Sequence, residues 1–219
     1  MNVFDIIGPI MIGPSSSHTA GAVRLGQIAT AIFGYAVKEA NITLYGSFAK
    51  THKGHGTDKA IIGGILGMKV DDAGIKTAIQ AAAQAGLVVT FTTDRAKGYH
   101  PNTVKIQLKD KDSNEVTVMG SSIGGGNVRV SRINDLKVSF TCEYHTLIIS
   151  HYDREGAVAQ VANLLASSHI NIAQMKLYRY DKGGEAVMVI EVDQKIGTHI
   201  MEEIKGYELV KSVATVKAI

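Results

Sequence analysis

Only one of the 219 residues is a cysteine, Cys142, and that scarcity excludes more than any other feature of the composition. No internal disulfide can form. An iron–sulfur cluster needs several thiolates and a structural zinc site about four Cys or His ligands, so any cluster function must come from another chain. Within the apolar segment VSFTCEY, Cys142 reads as a buried packing residue. With no disulfide and no basic-then-apolar stretch at the N-terminus, a cytoplasmic location is expected. No apolar run is long enough to cross a bilayer, and no membrane association is expected. Excess positive charge is also small: 23 Lys and Arg against 20 Asp and Glu leave +3. It is spread along the chain, which argues against nucleic-acid binding. No phosphate loop and no G-x-G-x-x-G follows a strand, which argues against a nucleotide site.

What is present is the balance of an ordinary globular chain, 45% hydrophobic and 20% charged, long enough to bury a real core. Its two halves differ. Residues 1–142 are glycine-rich and hold all three prolines, Pro9, Pro14 and Pro101. Val23, Leu25, Ile28, Ala29, Ile32 and Phe33 share a helical face, and NITLYGSF reads as a strand. AKTHKGHGTDKAIIGGILGM reads as a polar loop running into an apolar helix. DDAGIKTAIQAAAQAG reads as a helix opened by Asp71 and Asp72 and stopped by Gly86. Strands LVVTFTT, NTVKIQL and EVTVMG follow, then a glycine turn and strand in SSIGGGNVRVSRI, giving a mixed α/β domain. Residues 145–219 read as βαββαβ, the ferredoxin-like pattern, with Val158, Val161, Leu164 and Leu165 on one side of its first helix. The fold class expected overall is α+β.

Several segments carry chemistry. In GPSSSHTAG, Ser15, Ser16, Ser17 and Thr19 offer hydroxyls beside the N–H groups of a helix start, where a carboxylate or phosphate binds readily. One serine suffices for a cap, so three serines and His18 suggest a ligand as well. THKGHGTD repeats the design with His52, Lys53, His55, Thr57 and Asp58. A metal on His52 and His55 lacks further ligands at a recognisable spacing, and no metal site is assigned. If the two segments converge, they form a polar pocket for a small zwitterion or anion with a histidine poised near neutral pH. YHPNTV offers His100 and Asn102, or a simple turn before a strand. SSIGGGNVRVSR offers an anion nest near Arg129 and Arg132, or a glycine hairpin. In the second half Asp153, Arg154, Glu155 and Gly156 lie between strand and helix, and Asn171 opens the next strand.

These residues resemble two families. HYDREGAVAQVANLLASSHINIAQM is similar to the opening of an ACT domain, a regulatory module that binds amino acids, often at a dimer interface. Its usual elements correspond to Asp153, Gly156, Asn171 and Ile172, with Glu155 where many ACT domains have proline. GPIMIGPSSSHTAGAVRLG, THKGHGTD, HPNT and SIGGGNVRV resemble the beta chain of the two-subunit iron–sulfur L-serine dehydratase of bacteria. The same half is similar to the allosteric substrate-binding domain of some phosphoglycerate dehydrogenases. The resemblance implies a lyase that converts L-serine to pyruvate and ammonia, with a 4Fe-4S cluster on an alpha chain as Lewis acid. It implies that Ser15, Ser16, Ser17, Thr19, Thr57 and Asp58 bind substrate and that His18 or His55 handles a proton. It further implies effector binding by Asp153, Glu155, Gly156 and Asn171 and an ACT-mediated homodimer. The competing expectations are a non-catalytic serine or anion sensor and a general amino-acid-binding regulator.

Overall fold

In the strand Glu39–Tyr45 (β1), Ala40, Ile42 and Leu44 are buried while the alternate residues turn to the opposite face. The structure, a computed structural model, describes residues 10–218, and the chain divides into two units, Met1–Asp135 and Leu136–Ile219. β2 (Val88–Asp94) joins β1 in parallel and β3 (Thr103–Lys109) joins it antiparallel. The register sets Ile106 opposite Ile42 and Leu108 opposite Ala40, so the buried rows continue from strand to strand. β4 (Glu115–Gly124) and β5 (Asn127–Ile133) extend the sheet antiparallel, in the order β2-β1-β3-β4-β5, and β6 (Leu136–Phe140) opens the second unit. This last strand lies partly within the segment read from sequence only as apolar.

A parallel β1–β2 pair needs a crossover, and helices supply it. Helix α1 (Gly21–Phe33) buries Val23, Leu25, Ile28, Ala29 and Phe33, the expected stripe, with Ile32 half-buried. Helices α2 (Gly46–His55), α3 (Thr57–Ile65) and α4 (Ala78–Gln84) follow β1. A Cβ on Gly26 would run into the Ile61 carbonyl, and one on Gly64 into the Val23 carbonyl. These two glycines are what let α1 and α3 approach backbone to backbone.

Two segments depart from the sequence-based expectation. Residues 46–55 form a helix, not a polar loop, and the preceding strand stops at Tyr45 instead of continuing to Phe48. The reason is that α2 buries a single side chain, Phe48, so its polar sequence carries almost no apolar stripe. The helix expected from Asp71 opens as a 3₁₀ turn, Ala73–Thr77, in which the Asp72 carboxylate accepts the Gly74 N–H at 2.7 Å. Regular α-helix begins only at Ala78.

The second unit contains β7 (His145–Tyr152), α5 (Ala157–Ser167), β8 (Ile172–Arg179), β9 (Glu185–Val192), α6 (Thr198–Lys205) and β10 (Val210–Val216). Its sheet order is β10-β7-β9-β8 with every neighbour antiparallel, as the ferredoxin-like pattern requires. Leu147, Ile149, Val161, Leu165, Met188, Ile190 and Ile204 form the core between sheet and helices. Each such side chain contributes about 2 kcal/mol by leaving water. Val158, expected on the same side of α5, is instead 37% exposed. Among the described residues no helix is long and apolar enough to cross a membrane.

Candidate active site

The segment Ser16–Ala20 forms one wide, π-type turn ahead of α1. Ser15, extended at φ −148°, is its cap: the hydroxyl accepts the His18 N–H at 3.3 Å and the carbonyl accepts the Thr19 N–H at 2.8 Å. A cap of this kind is worth about 1 kcal/mol. Ser16 and Ser17 are half-buried, and neither side chain hydrogen-bonds within the described residues. Thr19 is 2% exposed, and its hydroxyl has no hydrogen-bond partner among the described residues.

Two other loops close on this turn. Where β1 gives way to α2, Gly46 takes φ +56°, and a Cβ there would stand 2.5 Å from the Pro101 carbonyl oxygen. That carbonyl accepts the N–H of Ser47 at 2.6 Å and of Phe48 at 3.3 Å, so the HPN segment satisfies the first donors of α2. His100 itself is exposed, and its Nδ1 accepts the Asn102 N–H at 3.2 Å. His100 and Asn102 thus shape the turn. At the far end of α2, Gly56 adopts φ +68° and leads directly into α3, which presents His55 beside the start of that helix.

The result is a histidine pair built from two separate motifs. The rings of His18 and His55 meet with centroids 4.8 Å apart, and Phe48 packs on His18 at 5.2 Å. His18 Nδ1 hydrogen-bonds with Ser15 Oγ at 3.3 Å and Nε2 with Ser47 Oγ at 3.2 Å. Burial lowers the pKa of His18 below its ordinary value, and the charge of His55 lowers it further. His55 is exposed, and its ring nitrogens make no hydrogen bond within the described residues.

His55 lines a cleft of about 240 Å³ together with Thr19, Gly13 and the lysines Lys53, Lys59 and Lys76. Among the described residues no carboxylate lines it, and the N-terminus of α3 borders it through Gly56 and Lys59. Cations, a helix N-terminus and an unpaired buried hydroxyl together suit a small carboxylate. Thr57 is fully buried with its hydroxyl unpartnered among the described residues, and Asp58 accepts the Lys59 N–H at 2.9 Å. Neither lines the cleft. His52 bonds back to the Ala49 carbonyl at 3.1 Å, a local role within α2.

The glycines of SSIGGGN form the hairpin turn between β4 and β5, one of the two arrangements expected. Gly126 O accepts Arg24 Nη1 at 2.6 Å, while Arg129 is exposed. Burial lowers the Arg24 pKa, the mark of a cation drawn out of water. Ser47, Lys59, Lys76 and the Pro101 carbonyl were not singled out from sequence. A Gly-Ser pair directly after a strand was the one local signal for Ser47.

In the second unit the four effector candidates do not meet within one chain. Asp153 Oδ2 accepts Gly183 N–H at 3.1 Å and Arg179 Nη1 at 3.2 Å, and its pKa is lowered chiefly by the Gly183 bond. Glu155 is exposed, and Gly156 starts α5 at φ +87°. Asn171 donates to Asp193 Oδ2 at 2.7 Å at the opposite end of the sheet, where His145 and Ile172 both face Val192. A strand of this length separates the two groups by about 25 Å.

The chain's own donors do not fit an iron–sulfur cluster. Cys142 is fully buried, and burial pushes its thiol up to about 12, so no thiolate is offered as a ligand.

Residues 2–87 match the serine dehydratase beta chain family and residues 145–208 the ACT domain. The chain is 46% identical to a probable L-serine dehydratase beta chain of Bacillus subtilis, over 93% of this chain and 92% of that one. It is 40% identical to an L-serine dehydratase beta chain of Peptoniphilus asaccharolyticus, over 94% of each. A D-3-phosphoglycerate dehydrogenase of Bacillus subtilis is 26% identical over 90% of this chain, which spans only 37% of that protein. With histidine-bearing loops gathered at one basic cleft in its first unit and an ACT domain in its second, the chain belongs to the L-serine dehydratase beta-chain family.

Proposed function

We propose that this chain is one half of an L-serine dehydratase and that its cleft receives the carboxylate of L-serine. The observation that carries the reading is the meeting of His18 with His55, which lines a cleft whose buried Thr19 hydroxyl has no partner among the described residues. A carboxylate oxygen would accept that hydroxyl, and Lys53, Lys59, Lys76 and the α3 N-terminus would balance its charge. His55, exposed in the cleft with neither ring nitrogen hydrogen-bonded among the described residues, is then the group that takes the proton from Cα as the β-hydroxyl departs. His18, held on both nitrogens, orients it. Loss of water from serine leaves an enamine that hydrolyses to pyruvate and ammonia.

The Lewis acid assigned to the leaving hydroxide is a cluster that a chain with a single cysteine does not build. A partner alpha chain carrying an iron–sulfur cluster is the proposed source, consistent with the buried, undissociated thiol of Cys142. The reading therefore makes the chain inactive alone, and it assigns the ACT domain a regulatory role. Its test is pyruvate formation from L-serine by the chain purified alone and by the complex with its cysteine-bearing partner, loaded anaerobically with iron and sulfide. Turnover is expected only in the complex. A complex that assembles, carries iron and leaves L-serine untouched would overturn the assignment.

A further inference from the structure

Ser47 stands at the turn between β1 and α2, outside the set of residues that line the cleft. Its hydroxyl lies 3.2 Å from His18 Nε2, while Ser15 Oγ lies 3.3 Å from Nδ1. Both imidazole nitrogens are thus held by serine hydroxyls from two different segments. Ser15 Oγ already accepts the His18 main-chain N–H. In the arrangement proposed here its own hydrogen bridges to Nδ1. Nδ1 then accepts, and Nε2 carries the hydrogen that Ser47 Oγ accepts.

The Ser47 hydroxyl is fixed by its backbone. Its N–H donates to Pro101 O at 2.6 Å, and its carbonyl accepts Thr51 Oγ1 at 2.9 Å. Gly46, pressed on Pro101, sets the direction in which α2 leaves the strand. The acceptor is therefore in place independently of His18, and it makes no other side-chain hydrogen bond within the described residues.

We propose that Ser47 is a positioning residue of the dehydratase site, holding His18 in the Nε2–H tautomer and edge-on to His55. The proposal rests on the reading of His55 as the proton-transfer group. Ser47 does not touch substrate in it; it acts through His18, whose ring sets the face that His55 turns to the cleft. A hydroxyl at this position is what the role requires, so threonine should replace serine and alanine should not.

The test is nitrogen-15 NMR of the imidazoles in the full chain, free of its partner, together with kinetics of the loaded complex. In the unsubstituted chain His18 should show a single tautomer with the hydrogen on Nε2. Ser47→Ala should shift it toward the Nδ1–H form or a mixture, with the remaining histidines unchanged as the control for folding, and Ser47→Thr should restore it. In the complex, Ser47→Ala should lower kcat about 10-fold with KM within about twofold, again recovered by threonine. A His18 that keeps its tautomer in Ser47→Ala, or that averages two tautomers in the unsubstituted chain, overturns the positioning role and leaves His55 untouched. The expected tautomer change in a chain whose complex makes no pyruvate supports the clamp and counts against the dehydratase reading alone.

Discussion

The imidazoles of His18 and His55 meet edge to face, centroids 4.8 Å apart and planes at 88°. Two imidazolium ions at that range oppose each other by on the order of 1 kcal/mol even with water-like screening. Burial depresses His18 first and the His55 charge second. His55→Ala is therefore expected to raise the His18 pKa while leaving it below the ordinary 6.5, because the larger cause persists. Histidine titration by NMR checks this. An unchanged His18 would remove the coupling.

The same depression sets a pH dependence of stability. The native state disfavours the charged form of His18, so the unfolded chain takes up its proton more readily as pH falls below 6.5. This contribution to stability is complete above 6.5 and is lost as pH falls toward the lower native value, with no further change beneath it. Denaturant midpoints across that window should fall less steeply for His18→Asn than for the unsubstituted chain. Equal slopes would mean that His18 is no more reluctant to charge in the native state.

Thr19 offers a separation of stability from binding. Its buried hydroxyl is unpartnered among the described residues, so Thr19→Val should leave the fold as stable or raise it by about 1 kcal/mol. In the proposed substrate complex the same change removes a hydrogen bond to a charged oxygen, worth about 1.5–3 kcal/mol, and KM for L-serine should rise about 10- to 100-fold. Urea unfolding and steady-state kinetics read the two effects. A destabilised variant with normal KM would place the hydroxyl in the fold and out of the cleft.

Much of this arrangement was legible in the sequence, and the failures have physical causes. The ferredoxin-like half was readable because its apolar residues alternate or repeat cleanly, as Leu147, Ile149, Met188 and Ile190 do in the core. The serine-histidine motifs were readable because they hold more hydroxyls than capping uses. Helix α2 was hidden, since a helix held by backbone contacts to Pro101 needs only Phe48 on its buried face. Ser47 was hidden with it. The distance between Asp153 and Asn171 depends on strand direction, which composition near either residue does not encode.

Gly46 tests the backbone frame of the site. Gly46→Ala demands both a left-handed alanine and the retreat of the Pro101 carbonyl, now 2.5 Å from where the Cβ would stand. The conformation alone costs about 1–2 kcal/mol, and the clash adds to it. Chemical denaturation should show a loss of at least about 2 kcal/mol. A neutral substitution would show that the Pro101 contact is dispensable.

The central claim is that His55 carries a proton in the conversion of L-serine. The most direct measurement is kcat of the iron-loaded complex assembled with His55→Ala, compared at equal iron content with the unsubstituted complex. A positioned acid–base group contributes about 10²- to 10⁴-fold. The account predicts a fall of at least about 100-fold in kcat, with KM changed little because the carboxylate is held by Thr19 and the lysines. Full activity in His55→Ala would contradict it.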